Sequence, residues 1–149
     1  MTKLSALLGD SAAIRTRTFQ IGGIDFWVKV PLSSEIDAMN DRINQVAPDL
    51  IEARFQQSKK DFVESDEIKF TEDDVLVEGR SLREISETAI KAERRILEFV
   101  KLIVPQGGGT MDDLTYDDIE AEWPFAIQLE ILNKIVEAIQ PGFESQRKN

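Results

Sequence analysis

Cysteine and histidine are both absent from this 149-residue chain. Without them there is no disulfide, no thiol nucleophile, no Ser-His-Asp or Cys-His constellation, and none of the usual zinc ligands. Aromatic residues are scarce at 7%, and no apolar run approaches the ~18 residues of a membrane span. The stretch Leu4 to Leu8 is broken by Ser5 and followed by Gly9-Asp10, too short and too polar for a signal peptide. Basic charge is in deficit, with 18 Lys and Arg against 28 Asp and Glu, a net charge of −10. Such a field repels phosphate backbones and anionic lipid, so neither nucleic acid nor membrane is expected as a partner. What is present, 42% hydrophobic and 31% charged residues, suits an ordinary globular domain able to fold without staples.

Residues 16–30 carry the clearest strand pattern, with apolar and polar residues alternating on both sides of Gly22-Gly23. A two-residue hairpin turn there pairs Ile21 with Ile24 and Phe19 with Phe26. Val28 and Val30 continue that face, and Thr18, Gln20, Asp25, Trp27 and Lys29 take the other. Trp27 is therefore an aromatic among polar neighbours, either covered by its own chain or an anchor for a partner.

Pro31 ends the hairpin, and Ser33 or Ser34 opens a helix with the stripe Ile36, Met39, Ile43 and Val46. From Asp49 the pattern repeats with Ile51, Phe55, Ser58 and Phe62, as a second helix or as one helix kinked at Pro48. Residues 64–79 are acidic and punctuated, with a weak alternation at Ile68, Phe70, Val75 and Val77 that fits a short strand or hairpin arm, and read as a mobile connecting loop. Ser81 with Glu84 starts a long helix whose stripe runs Leu82, Ile85, Ala89, Ala92, Ile96, Phe99 and Ile103, expected to face the core in preference to the coil of a partner. Pro105 and Gly107-Gly108-Gly109 end it. Thr115 caps a short turn at 116–122, and Pro124 opens a final helix reaching Gln140. That helix is apolar nearly all round: Phe125, Leu129, Leu132, Val136 and Ile139 form one stripe, and Ile127, Ile131, Ile135 and Ala138 form another. It is either a central helix, or its second stripe is an interface.

The expected fold is mainly α, of α+β class, with an N-terminal β-hairpin packed on a bundle of about four helices. Residues 1–143 form one globular domain with acidic loops at 64–79 and 105–122, and 144–149 form a flexible tail. The carboxylates Asp112, Asp113, Asp117, Asp118 and Glu120 lack the spacing and the sixth-position glycine of a calcium loop. The glycine run has no following Lys-Ser/Thr pair and is no phosphate cradle. No catalytic residue, metal or cofactor is expected. Two binding functions remain: a mimic of DNA charge that blocks a nucleic-acid-binding protein, or a module that covers the apolar surface of a client.

The run Phe19-Gln20-Ile21-Gly22-Gly23-Ile24-Asp25-Phe26-Trp27-Val28-Lys29-Val30-Pro31 leads into Ser33, Ser34, Glu35 and a helix. With a helical remainder closing on Glu130 to Ile139 in a small acidic protein, this layout resembles the tail assembly chaperones of long-tailed bacteriophages. The resemblance implies a non-enzymatic protein of the host cytoplasm, absent from the finished virion. Its implied partner is the helix-rich tape measure protein, which it keeps soluble, and self-association is a further possibility. It also implies a longer form made by ribosomal frameshifting, through which tail tube subunits are recruited. Arg147-Lys148-Asn149 is one way a slippery codon run is translated in the unshifted frame. The expected client contacts are Trp27 and the stripe Ile127, Ile131 and Ile135.

Overall fold

A computed structural model describes residues 3–9 and 14–140; the tail at 144–149, with Arg147-Lys148-Asn149, lies outside the described residues. In chain order the elements are α1 (Lys3–Leu8), β1 (Thr16–Ile21), β2 (Ile24–Lys29), α2 (Ser33–Asn44), α3 (Pro48–Lys59), β3 (Ile68–Phe70), β4 (Val75–Val77), β5 (Arg80–Ser81), α4 (Leu82–Val100), α5 (Tyr116–Glu122) and α6 (Phe125–Ile139). The chain is mixed α+β and mainly helical, with an N-terminal antiparallel hairpin and a second small sheet. It divides into two compact units, Met1–Asp37 with Ile96–Asn149, and Ala38–Arg95.

In the first unit, Gly22 and Gly23 have φ of 58° and 80°, the left-handed pair that a type I′ turn requires. The turn fixes the register: Ile21 opposes Ile24, Phe19 opposes Phe26 and Arg17 opposes Val28, as the alternation predicts. Phe19 and Phe26 stack with ring centroids 5.1 Å apart. The outer edge of β2 is paired as well, because Lys29 N–H donates to Leu102 C=O at 2.9 Å and Val104 N–H donates to Trp27 C=O at 2.7 Å. Helix α6 packs against both strands. Val28, Ile103, Ile119, Ile131, Leu132, Ile135 and Ile139 are buried.

Two polar devices organise this unit. Thr115 and Asp118 form a capping box at the start of α5, with Asp118 N–H donating to Thr115 Oγ1 at 3.3 Å and Thr115 N–H donating to Asp118 Oδ2 at 2.9 Å. Gln128 of α6, 1% exposed, accepts from the Tyr116 hydroxyl at 2.7 Å and donates to Trp123 C=O at 2.9 Å. Its amide thereby ties α5, the turn after it and α6 together, and a buried amide is tolerated because it is bonded at both ends.

The second unit packs Phe55 of α3, Val75 of β4 and Leu82 of α4 into a core joined by Phe62, Ile68, Val77 and Ile85. Strands β3, β4 and β5 lie in that order in an antiparallel sheet. The stretch 64–79 is therefore not a loop throughout. Its β4–β5 turn is also of the two-residue left-handed kind, at Glu78 and Gly79, with φ of 52° and 82°. Pro48 is the first residue of α3, which settles the kinked-helix alternative in favour of two helices, since residues 45–47 are not helical.

Ion pairs and caps hold the helices of this unit. Arg54 makes two hydrogen bonds to Glu93, at 2.9 and 2.7 Å. Arg94 donates to the carbonyls of Arg42 and Gln45, at 3.1 and 2.8 Å, and so satisfies carbonyls freed where α2 ends. Ser81 Oγ accepts from Glu84 N–H at 3.2 Å, the cap that the sequence predicts. The same hydroxyl donates to Asp74, which also accepts from Val75 N–H at 2.7 Å and Arg83 N–H at 3.3 Å. Partial burial pushes the Asp74 pKa up, and the hydrogen bonds from Ser81, Val75 and Arg83 together outweigh it, leaving a net value below the ordinary one.

The packed face of α4 differs from the predicted stripe. Ala92 is exposed, Ser86 and Ile90 are buried, and Glu93 is half-buried. The reason is the bidentate Arg54–Glu93 pair, which admits a carboxylate to the inward side where a three-four apolar count places alanine.

Candidate interaction surface

The outer face of the hairpin follows from the strand pleat. Trp27 lies opposite Thr18 in the register and is 40% exposed, so this ring is left at the surface. Its backbone is rigidly held, since Trp27 C=O accepts from Val104 and the strand is paired on both edges. A tryptophan on so well-held a strand presents a large apolar surface from a fixed backbone position, and tryptophan is a common interface anchor.

The other predicted contacts separate. Ile127 is half-buried, and Ile131 and Ile135 are 2% and 0% exposed. Those two are core residues, and so are Leu132 and Ile139 of the other stripe, so α6 turns parts of both stripes inward. The reason is that the hairpin supplies the apolar surface to cover them, and α6 lies on it. The apolar residues left outside on α6 are Phe125, 56% exposed, and Leu129 one turn later. Sequence periodicity shows both stripes and leaves Glu130, Asn133, Lys134 and Glu137 for water, where the structure has them, but it holds no signal that Phe125 and Leu129 stay outside. Leu4, Leu7 and Leu8 of α1 are also exposed, on a short helix that the sequence reading treats only as a failed signal peptide.

Acidic side chains are concentrated in the segment that leads into α6. Asp112, Asp113, Asp117, Asp118, Glu120, Glu122 and Glu130 are all exposed, and no Lys or Arg occurs between Lys101 and Lys134. Among the described residues no three Asp, Glu, His or Cys side chains come together to hold a metal ion. Asp118 is engaged in the capping box, a structural use of one of these carboxylates.

A second electrostatic cluster sits where the hairpin meets α2. Glu35 accepts from Leu32 N–H at 2.9 Å and from Arg15 at 2.8 Å, and Arg15 Nε donates to Val30 C=O at 3.1 Å. The Leu32 N–H is the main cause that holds the Glu35 carboxyl below its ordinary pKa; burial opposes it, and the hydrogen bond and charge of Arg15 add to the lowering. This cluster fixes the exit of β2 into α2, which is a structural task. Compared with protein-family profiles, with curated proteins and with solved structures, the chain gives no match.

Proposed function

We infer that this chain is a non-enzymatic tail assembly chaperone of a long-tailed bacteriophage, acting in the host cytoplasm. It binds the helical tape measure protein before assembly and keeps it soluble, and an extended form brings tail tube subunits to the complex. The observation that carries this reading is that large apolar side chains, Trp27, Phe125 and Leu129 among them, are left exposed on a strongly acidic protein. A client with long amphipathic helices needs its apolar stripes covered, and side chains of this kind cover them. The excess of carboxylates keeps such a complex soluble through net charge. The layout resemblance supplies the identity of the client.

Co-expression with the tape measure protein tests the reading. A soluble complex is expected, and Trp27→Ala or Leu129→Glu is expected to weaken it while far-ultraviolet circular dichroism stays helical. The exposed acidic run also fits a DNA mimic. That function predicts a complex with a nucleic-acid-binding protein that dissolves steeply with salt and responds to charge reversal at Asp112, Asp113, Asp117 and Asp118. Complexes insensitive to both apolar substitutions and sensitive to those reversals would replace the chaperone reading with the mimic.

A further inference from the structure

The register of the first hairpin fixes which backbone groups of β1 are free. Ile21 and Ile24 close the turn, so the mutually bonded pairs are Ile21–Ile24, Phe19–Phe26 and Arg17–Val28. The series continues at Arg15, whose carbonyl accepts from Val30 N–H at 2.6 Å. Residues between these pairs point their N–H and C=O away from the partner strand. On β2 two such groups, Trp27 C=O and Lys29 N–H, are taken by residues 102–104. On β1 the carbonyl of Thr16 accepts from Arg17 at 3.1 Å, but Thr18 and Gln20 have no backbone partner among the described residues. β1 holds no proline and no bulge, two of the features that ordinarily protect an edge.

Beside this edge lies a groove of about 300 Å³ lined by Arg17, Thr18, Phe19, Lys134, Glu137 and Ala138. No β2 residue lines it, so it opens on the free side of β1. The local charge is opposite to that of the whole protein. In the groove itself Arg17 and Lys134 outnumber Glu137, on a protein of net charge −10, and Lys134 of α6 is exposed with no ion-pair partner among the described residues.

We propose that the β1 edge binds an extended acidic peptide as an added strand, with aliphatic side chains in the groove and a carboxylate on Lys134. Free donors and acceptors at Thr18 and Gln20 supply the ladder, and the groove supplies side-chain selection, the two parts of recognition by strand addition. A second copy of this chain fits less well. Pairing β1 with itself sets two Arg17 side chains on one face and joins two chains of net charge −10. This inference does not depend on the chaperone reading.

The test uses the full chain and a blocked synthetic octapeptide, Thr-Val-Thr-Glu-Thr-Val-Thr-Val, followed by amide NMR. Saturable binding that shifts the Thr18 and Gln20 amides is expected. Thr18→Pro removes an N–H that the hairpin does not use, and is expected to weaken binding about tenfold, the loss of one hydrogen bond. Should that variant lose its fold by circular dichroism, Lys134→Glu on exposed α6 decides the matter, because it should weaken this peptide and favour one with lysine in place of glutamate. Absent binding, amide shifts elsewhere, or indifference of the folded variants to these changes would overturn the proposal. So would a concentration-dependent dimer of the parent that Thr18→Pro abolishes, which assigns the edge to a second copy.

Discussion

Gln128→Glu exchanges one buried atom type and leaves shape alone. At low pH the protonated acid donates to Trp123 C=O and accepts from Tyr116, reproducing both bonds of the amide. At neutral pH the carboxylate loses the donor toward Trp123 and is placed where the parent side chain is 1% exposed. Burial disfavours the charged form, so the folded-state pKa of the introduced acid rises above its unfolded value of about 4.3. A group shifted upward in this way destabilises the fold as pH rises past the unfolded pKa, by about 1.4 kcal/mol per unit until the folded pKa is reached. The Tyr116 hydroxyl still donates, which holds the shift to roughly 2–3 units and the cost near neutrality to about 3–4 kcal/mol. For a chain of this size that corresponds to a fall of roughly 6–16 °C in melting temperature. Thermal melts by circular dichroism, variant against parent, are expected to differ by this amount at about pH 7.5 and to converge near about pH 4. A difference that is absent, or equal at both pH values, would refute the account of Gln128 as a desolvated cross-tie.

Ile135→Ala should cost about 2–5 kcal/mol by leaving a cavity, whereas Phe125→Ala on the same helix should stay within about 0.5 kcal/mol; denaturant melts separate the two. Asp74 has a lowered pKa, so its contribution is present above the ordinary value of 3.8 and is lost as pH falls through the lower folded value. Acid unfolding of Asp74→Asn should therefore lie below the parent in stability at neutral pH and approach it in strong acid. Glu78→Asn should stabilise by roughly 0.5–1 kcal/mol, because asparagine tolerates the left-handed turn position better than glutamate, and an unchanged midpoint would contradict that.

The first hairpin is legible in the sequence because turn chemistry and alternation agree: Gly22-Gly23 suits the turn, and Ile21, Phe19, Ile24 and Phe26 take one face. The caps at Ser81 and Thr115 are legible for a similar reason, as each is a local contact within three residues. The β3–β5 sheet is harder to read. Its strands are two or three residues long, and its turn places Glu78 at a positive φ where glycine or asparagine would signal a hairpin. The surface of α6 is legible only in part: Glu130, Asn133, Lys134 and Glu137 mark its solvent side, but nothing in the two apolar stripes shows that Phe125 and Leu129 stay outside. Only the position of the hairpin distinguishes Ile131 and Ile135 from Phe125 and Leu129. Glu93 shows the same limit, because its partner Arg54 comes from a different helix and no short-range pattern links them.

The two edges of β2 acquire their partners at different moments of synthesis. β1 precedes β2 in the chain, and their two-residue turn closes in roughly 1–10 µs once both have left the ribosome. The other partner, at residues 102–104, is not yet translated. At a rate of roughly 5–20 residues per second, Trp27 C=O and Lys29 N–H wait on the order of 4–15 s for Leu102 and Val104. In that interval the nascent hairpin has two open sides, a state in which strands of neighbouring chains on one message can pair wrongly. Asp25 and Lys29 alternate along the waiting side, and both are exposed. Charge on that edge discourages the wrong pairing until the right segment is made.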